Sequence, residues 1–317
     1  MKQKLDKTYD ELKKNEAEFF DQSIRKRTSG GNISESADIR RANRVIANGV
    51  NEPIDPKVSE ILFGDYRKKY IDFVSHKKYG RVLELCCGPG WLALELGRRG
   101  QNVDAYDISS ESINVAKKML KENPYKDGFG SINYYLEDIS QCELGREKYD
   151  AVSCWASWYY LSKFDVLLDR VWSTLKVGGI FAIEDDRAPR SFEKYIARIL
   201  SIVLPTCDKT YLQKIISFFK RINNTVLKQT VSTNQEPPSA KTMNDIPENT
   251  DEIFKDRFEV LMDVHFNAFA IGTMRRLRGP DFIRYGVDNI LAYFDRLLCR
   301  KNICKGQNRI IIVCKKT

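Results

Sequence analysis

Two hydrophobic periodicities alternate along this chain. Short apolar-rich runs at 82–85, 101–107, 132–139, 149–155, 180–183, 257–266 and 309–314 are too brief for helices and read as strands, several buried on both faces. Between them apolar residues advance by threes and fours. Val166, Leu167 and Val171 do so in one stretch, with Arg170 and Thr174 on the same spacing, and Ile196, Ile199, Leu200, Val203 and Leu204 in another, with Pro205 interrupting before Leu212, Ile215, Ile216 and Phe219 resume. A further helical pattern occupies 287–299, and charged helical stretches occupy 9–20 and 39–46. Asp55-Pro56 reads as an N-cap with proline at the first helical position. Strands interleaved with helices predict an α/β fold with a doubly wound, mostly parallel sheet.

The segment from Val82 to Asp107 carries the densest signal. It reads as a buried strand, the turn Cys86-Cys87-Gly88-Pro89-Gly90, a helix, and a second strand ending in a carboxylate, which is the layout of a nucleoside-binding half. Gly88, Gly90 and Ala93 satisfy a dinucleotide fingerprint, with Asp107 placed for a ribose. Against a dinucleotide stands Glu84, whose charge opposes a pyrophosphate seated on the helix N-terminus and suits a cationic ligand.

At these residues the chain resembles the class I S-adenosylmethionine-dependent methyltransferases. Glu84, Cys86, Gly88 and Gly90 match the acid and spaced glycines of the family's first motif, with Cys86 replacing the first glycine. Asp138 and Ile139, at the end of the third strand, take the family's adenine-contact positions. The fourth strand, with Cys154 and Trp155, leads toward the methyl group. Lys176-Val177-Gly178-Gly179 resembles the turn that introduces the fifth strand, so Gly178 is expected to cap the preceding helix in a left-handed conformation. The resemblance implies S-adenosyl-L-methionine as cofactor, held by Glu84, Cys86, Gly88, Gly90, Asp107, Ile108, Asp138, Ile139 and Cys154. It also implies a seven-stranded sheet whose last strand is antiparallel.

Domain organisation follows: an N-terminal helical extension at 1–78, a cofactor-binding α/β core at 79–186, a basic helical insertion and polar linker at 187–252, and C-terminal strands and helix at 253–317 that complete the core. The extension either covers the active site, as in relatives, or packs elsewhere on the sheet. The insertion either lies on an anionic membrane surface or forms a lid, and its origin at the carboxyl edge of the sheet favours the lid. Residues 230–251 read as a mobile polar linker.

With 42% hydrophobic and 30% charged residues the chain can bury a sizeable core. No apolar run approaches the roughly 20 residues that cross a bilayer. The first residues lack the apolar core of a secretory signal, so a cytoplasmic location is expected. Eight cysteines without a C-x-x-C pair suggest small buried hydrophobes rather than disulfides or a metal site.

Charge is divided along the chain. Residues 81–186 hold 12 basic and 17 acidic side chains, whereas 187–230 hold 9 and 2, and 275–317 hold 11 and 3. An acidic cofactor domain with basic appendages points to an anionic acceptor, a carboxylate or phosphate, bound by arginines drawn from Arg187, Arg190, Arg275, Arg276 and Arg278. Trp155, Trp158 and Tyr159 are candidate acceptor contacts, with pocket wall and core both open as their roles. The Pro-Pro-aromatic motif of exocyclic-amine DNA methyltransferases is missing after the fourth strand, and no nucleic-acid module is recognisable, which disfavours nucleic acid.

Methyl transfer from a sulfonium asks chiefly for positioning. A hydroxyl acceptor also needs a base, and of the two histidines His265, near the carboxyl end of the sixth strand, is the candidate, while His76 reads as a surface residue. Glu184, Asp185 and Asp186 are alternatives. The expectation is methyl transfer to oxygen or nitrogen of a small molecule. RNA or protein methylation, or a catalytically silent cofactor-binding subunit, stands as the alternative.

Overall fold

Seven strands form one sheet in the computed structural model, which describes residues 2–29, 55–124, 126–161, 164–186, 190–205, 211–213, 216 and 250–316. In chain order the elements are α1 (Lys2–Ser29), α2 (Pro56–Val74), β1 (Arg81–Leu85), α3 (Trp91–Arg98), β2 (Asn102–Asp107), α4 (Ser110–Glu122), β3 (Ser131–Leu136) and β4 (Tyr149–Trp155). A short 3-10 turn (Trp158–Tyr160) leads to α5 (Phe164–Thr174), β5 (Leu175–Asp186) and α6 (Ser191–Val203). The chain closes with α7 (Thr250–Phe254), β6 (Phe258–Phe266), α8 (Ala270–Met274), α9 (Asp281–Arg300) and β7 (Asn308–Lys315).

The strand order is β3-β2-β1-β4-β5-β7-β6, and β7 runs antiparallel to both of its neighbours. Residues 253–317 therefore add two strands to the sheet begun by 79–186. The central strands read as continuous apolar runs because both of their faces are covered. On one face Val82, Ala151, Ala182 and Ile312 pack with residues of α2, α3, α4, α8 and α9. On the other, Leu83, Val152, Phe181 and Val313 pack with α5 and α7.

Asp55 caps α2 as its sequence suggests: its carboxylate accepts the Lys57 N–H at 2.8 Å, with Pro56 at the first helical position. The same carboxylate accepts from Arg284 and Tyr285 of α9 at 2.8 and 3.0 Å, fastening the extension to the C-terminal helix.

Gly178 differs from expectation. It takes φ +71°, but α5 has already ended at Thr174 and Leu175 pairs at once with Tyr149. The register then jumps, with Ala151 opposite Ile180, so Gly178 lies in a bulge of β5 instead of capping the helix. Lys176 pins the strand before this excursion by donating to both oxygens of Asp150 at 3.1 and 3.0 Å. The polar linker is also shorter than its composition suggests, because its last residues open α7. The helical pattern at 39–46 lies outside the described residues. So does most of 206–249, including all of the second insertion helix except 212, 213 and 216.

Candidate active site

The turn after β1 is built from left-handed backbone. Cys86, Gly88 and Gly90 take φ of +54°, +52° and +77°. Cys87 N–H donates to Tyr106 O and Gly90 N–H to Cys87 O, which bends the chain over the end of β1 and delivers it to α3. The family glycine that Cys86 replaces is thus a backbone requirement. Cys86 meets it at a cost of about 1–2 kcal/mol.

The two glycines serve different ends. Gly88 lies on a cavity wall, and a Cβ built there meets nothing within 4 Å. A Cβ on Gly90 would stand 2.5 Å from Tyr134 Oη and 2.8 Å from Ala116 Cβ. Gly90 therefore admits the packing of α3 against β3 and α4, and it does not line the cavity.

Asp107, at the end of β2, accepts the N–H groups of Gly88 and Ser109, each at 2.8 Å. Burial pushes its carboxyl up to about 6, with those hydrogen bonds pulling it back and the Asp21 carboxylate raising it further. Glu84 lies buried beneath the turn and does not line the cavity. Its carboxyl accepts the N–H of Ala93 in the first turn of α3, and burial together with Asp107 drives its pKa well above the carboxylate range. That N–H is one of the donors a pyrophosphate would use, and Glu84 already occupies it. Its second oxygen has no hydrogen-bond partner among the described residues.

A cavity of about 200 Å³ opens at the carboxyl ends of the strands. Cys86, Gly88, Asp107, Ile108, Asp138, Ile139 and Trp155 meet on its wall. Asp138 accepts Ser140 N–H at 2.9 Å through one oxygen and the Tyr9 hydroxyl at 2.8 Å through the other.

Five residues of α1, namely Lys13, Glu16, Phe20, Ser23 and Ile24, roof this cavity. None was singled out from the sequence as a site residue, yet they recur at steps of three and four, the signal of one helix face. The roof is fastened at both ends. Asp21 accepts from the Ser109 and Ser110 hydroxyls and from Glu111 N–H at 2.7 to 3.0 Å, acting as an added cap on α4, while Tyr9 reaches Asp138. Burial alone would raise the Asp21 carboxyl, but these hydrogen bonds and Arg25 hold it below its ordinary range.

Beyond Trp155 the wall continues through Ala156, which takes φ +53°, Ser157, Tyr160 and Leu161. Phe20 meets Tyr160 edge-on at 5.1 Å, and Trp155 meets Trp91 and Tyr70 edge-on at 5.5 and 4.8 Å. The cavity thus has an acidic end with Asp107, Glu137 and Asp138 and an aromatic end beside the exit of β4.

Other sequence candidates lie elsewhere. Cys154 is buried in β4, its N–H donating to Tyr70 Oη. Trp158 belongs to the core on the opposite face of the sheet, with its ring 5.3 Å from that of Phe181. Arg275 is exposed at the end of α8 and does not line the cavity. His265 sits on β6, the outermost strand, three positions from β4 or about 14 Å across the sheet, and does not line the cavity. Asp263, two residues before it, pairs with the buried Arg309 at 2.7 and 2.5 Å. Glu184 and Asp185 are buried at the end of β5 and are also absent from the wall. Arg187 and the side chains of Tyr159 and Asp186 lie outside the described residues. Among the described residues every cysteine is a free thiol, and no group of three potential ligands is placed to hold a metal ion.

Residues 82–179 match a family described as a methyltransferase domain. Over 141 residues, 42% of this chain and 57% of the relative, the chain is 28% identical to the ubiquinone biosynthesis O-methyltransferase of Xanthomonas axonopodis pv. citri. Over 69 residues, 22% of this chain and 29% of the relative, it is 35% identical to the magnesium-protoporphyrin O-methyltransferase of Rhodobacter capsulatus. The matches thus span less than two thirds of either relative. In fold it is similar to the geranyl diphosphate C-methyltransferase of Streptomyces coelicolor A3(2), with TM-score 0.50 and 12% identity over 96% of this chain and 97% of that one. Residues 82–179 thus match a methyltransferase domain, and the strand order built around them is that of the class I S-adenosylmethionine-dependent methyltransferase fold.

Proposed function

We propose that the chain transfers the methyl group of S-adenosylmethionine to an oxygen or nitrogen of a small molecule. The observation that carries this reading is a cavity in which an acidic end and an aromatic end meet beside the exit of β4. The residues present fit the cofactor. Gly88 leaves open space on the wall, Asp107 and Asp138 offer carboxylate acceptors, and Glu84 has taken the α3 donor that a pyrophosphate would need.

In this reading Asp107 accepts from the ribose hydroxyls, Asp138 and Ile139 hold the adenine, and the Cys86–Gly88 backbone lies along the methionine portion. Bound there, the cofactor supplies a sulfonium methyl that is already activated. Phe20, Trp155 and Tyr160 bracket the acceptor, and the α1 roof excludes water from it. No histidine lines the cavity among the described residues, so positioning takes the larger share of the catalytic work. Support for an anionic group on the acceptor comes from Lys13 on the wall, which is paired with Glu16 at 2.7 Å, whereas no described residue of the basic segments at 187–230 and 275–317 lines the cavity.

Calorimetric titration with S-adenosylmethionine, S-adenosylhomocysteine and NAD tests the cofactor: the first two are expected to bind and NAD is not. A labelled-methyl screen tests the acceptor. Label appearing only in RNA or protein would overturn the small-molecule reading, and cofactor binding with no labelled acceptor would assign a silent subunit.

A further inference from the structure

Helix α9 is apolar on two opposite sides. Its inward side buries Leu291, Ala292 and Cys299 against the sheet. On the outward side Phe282, Ile283, Ile290, Tyr293 and Phe294 are between 51% and 78% exposed. At 100° per residue these five fall within an arc of about 120°, on a helix about 30 Å long. Gly286 lies within the same arc, and a Cβ there would meet nothing within 4 Å. A face of large apolar side chains on this scale marks an interaction surface.

Charge identifies the occupant. Exposed Arg275, Arg276 and Arg278 precede this face, and exposed Arg300 and Lys301 follow it. Of the three acids on α9, Asp288 and Asp295 are buried, which leaves only Asp281 at the surface. Residues 275–317 hold 11 basic and 3 acidic side chains. A second copy of the chain would bring two such cationic segments face to face, whereas an anionic bilayer neutralises them. An apolar arc bracketed by arginine and lysine is the pattern of a helix lying in a lipid interface. The charges on α9 also prevent it from spanning: among the described residues no helix is long and apolar enough to cross a membrane.

We propose that the outward face of α9 docks this protein on an anionic lipid surface, with Phe282, Ile290, Tyr293 and Phe294 entering the interface and the flanking cations meeting the headgroups. The inference is independent of the methyl-transfer reading. It gives the arginines that do not reach the cavity a role in placing the protein.

The test is co-sedimentation of the full chain with vesicles of phosphatidylcholine alone and of phosphatidylcholine with one quarter phosphatidylglycerol. Binding is expected only to the anionic vesicles and is weakened by salt. Arg300→Ala/Lys301→Ala should lower the partition coefficient about 25-fold, at about fivefold per cation. Ile290→Ser/Tyr293→Ser should lower it at least tenfold. Both pairs are exposed, so unchanged circular dichroism and thermal midpoint certify the fold. Failure to bind anionic vesicles, equal binding to neutral ones, or binding unaffected by both double variants would overturn the proposal. So would a dimer in vesicle-free solution that Ile290→Ser/Tyr293→Ser converts to monomer, because a second copy would then cover the face.

Discussion

Alanine at Gly88 and at Gly90 should separate cofactor binding from folding, although both sites lie in one turn with left-handed backbone. At Gly88 the left-handed conformation costs alanine about 1–2 kcal/mol, and the lower entropy of the unfolded chain returns about 0.5–1. With nothing within 4 Å of the added methyl, no packing penalty follows, and the net loss is about 1 kcal/mol. In a chain of this size that lowers the thermal midpoint by about 2 °C. The methyl stands on the cavity wall, so S-adenosylhomocysteine affinity should fall at least tenfold, about 1.4 kcal/mol. At Gly90 the backbone cost is the same, but the methyl meets Tyr134 at 2.5 Å and Ala116 at 2.8 Å. Ala116 is fixed on α4 and fully buried, so overpacking adds about 1–3 kcal/mol and the total reaches about 2–4. Differential scanning fluorimetry and calorimetric titration on both variants make the comparison. If Gly88→Ala unfolds as early as Gly90→Ala, or binds with wild-type affinity, the division of labour argued for the turn is wrong.

Three further outcomes are expected. Cys86→Gly relieves a left-handed side chain and, after the entropy cost of glycine, should raise stability by up to about 1 kcal/mol in denaturant melts, with cofactor affinity retained. Asp21→Ala removes the acceptor for Ser109, Ser110 and Glu111 and should cost about 1 kcal/mol, with limited proteolysis cutting within α1 faster than in the wild type. Burial would raise the Asp150 carboxyl, but Arg81 N–H, Lys176 and Lys77 hold it at about 2. Its contribution is therefore present above the unfolded value near 4 and lost as pH falls through about 2. Discounted for solvent screening, Asp150→Asn should cost about 1 kcal/mol at pH 7 and only a small fraction of that at pH 2, read from urea melts at both.

Much of the core is determined locally, and there the sequence is legible. The strand, turn and helix from Val82 onward, the acid ending β2 and the helix that follows β4 come from short-range periodicity and turn chemistry, and residues within such a unit are neighbours in space by construction. Seven of the residues nominated from motifs meet on one wall because parallel strands present their carboxyl ends together. Sequence order did not reveal which distant segments would share that wall. Lys13, Glu16 and Phe20 reach it because α1 docks across the carboxyl ends, fastened by Tyr9 and Asp21 to partners 129 and 88 to 90 residues away. His265 was nominated by residue type and strand end, but the β7 insertion between β5 and β6 carries it to the sheet's edge. Trp158 and Tyr160, two residues apart, divide between core and cavity because a 3-10 turn points them in different directions. The sequence by itself determined the fold class and the strand, turn and helix that line the cavity, since both arise from hydrophobic period and backbone conformation within contiguous segments. The roof, the aromatic end of the cavity and the exposed face of α9 were decided by tertiary packing, because each depends on which side of an element turns toward a partner far away in the chain.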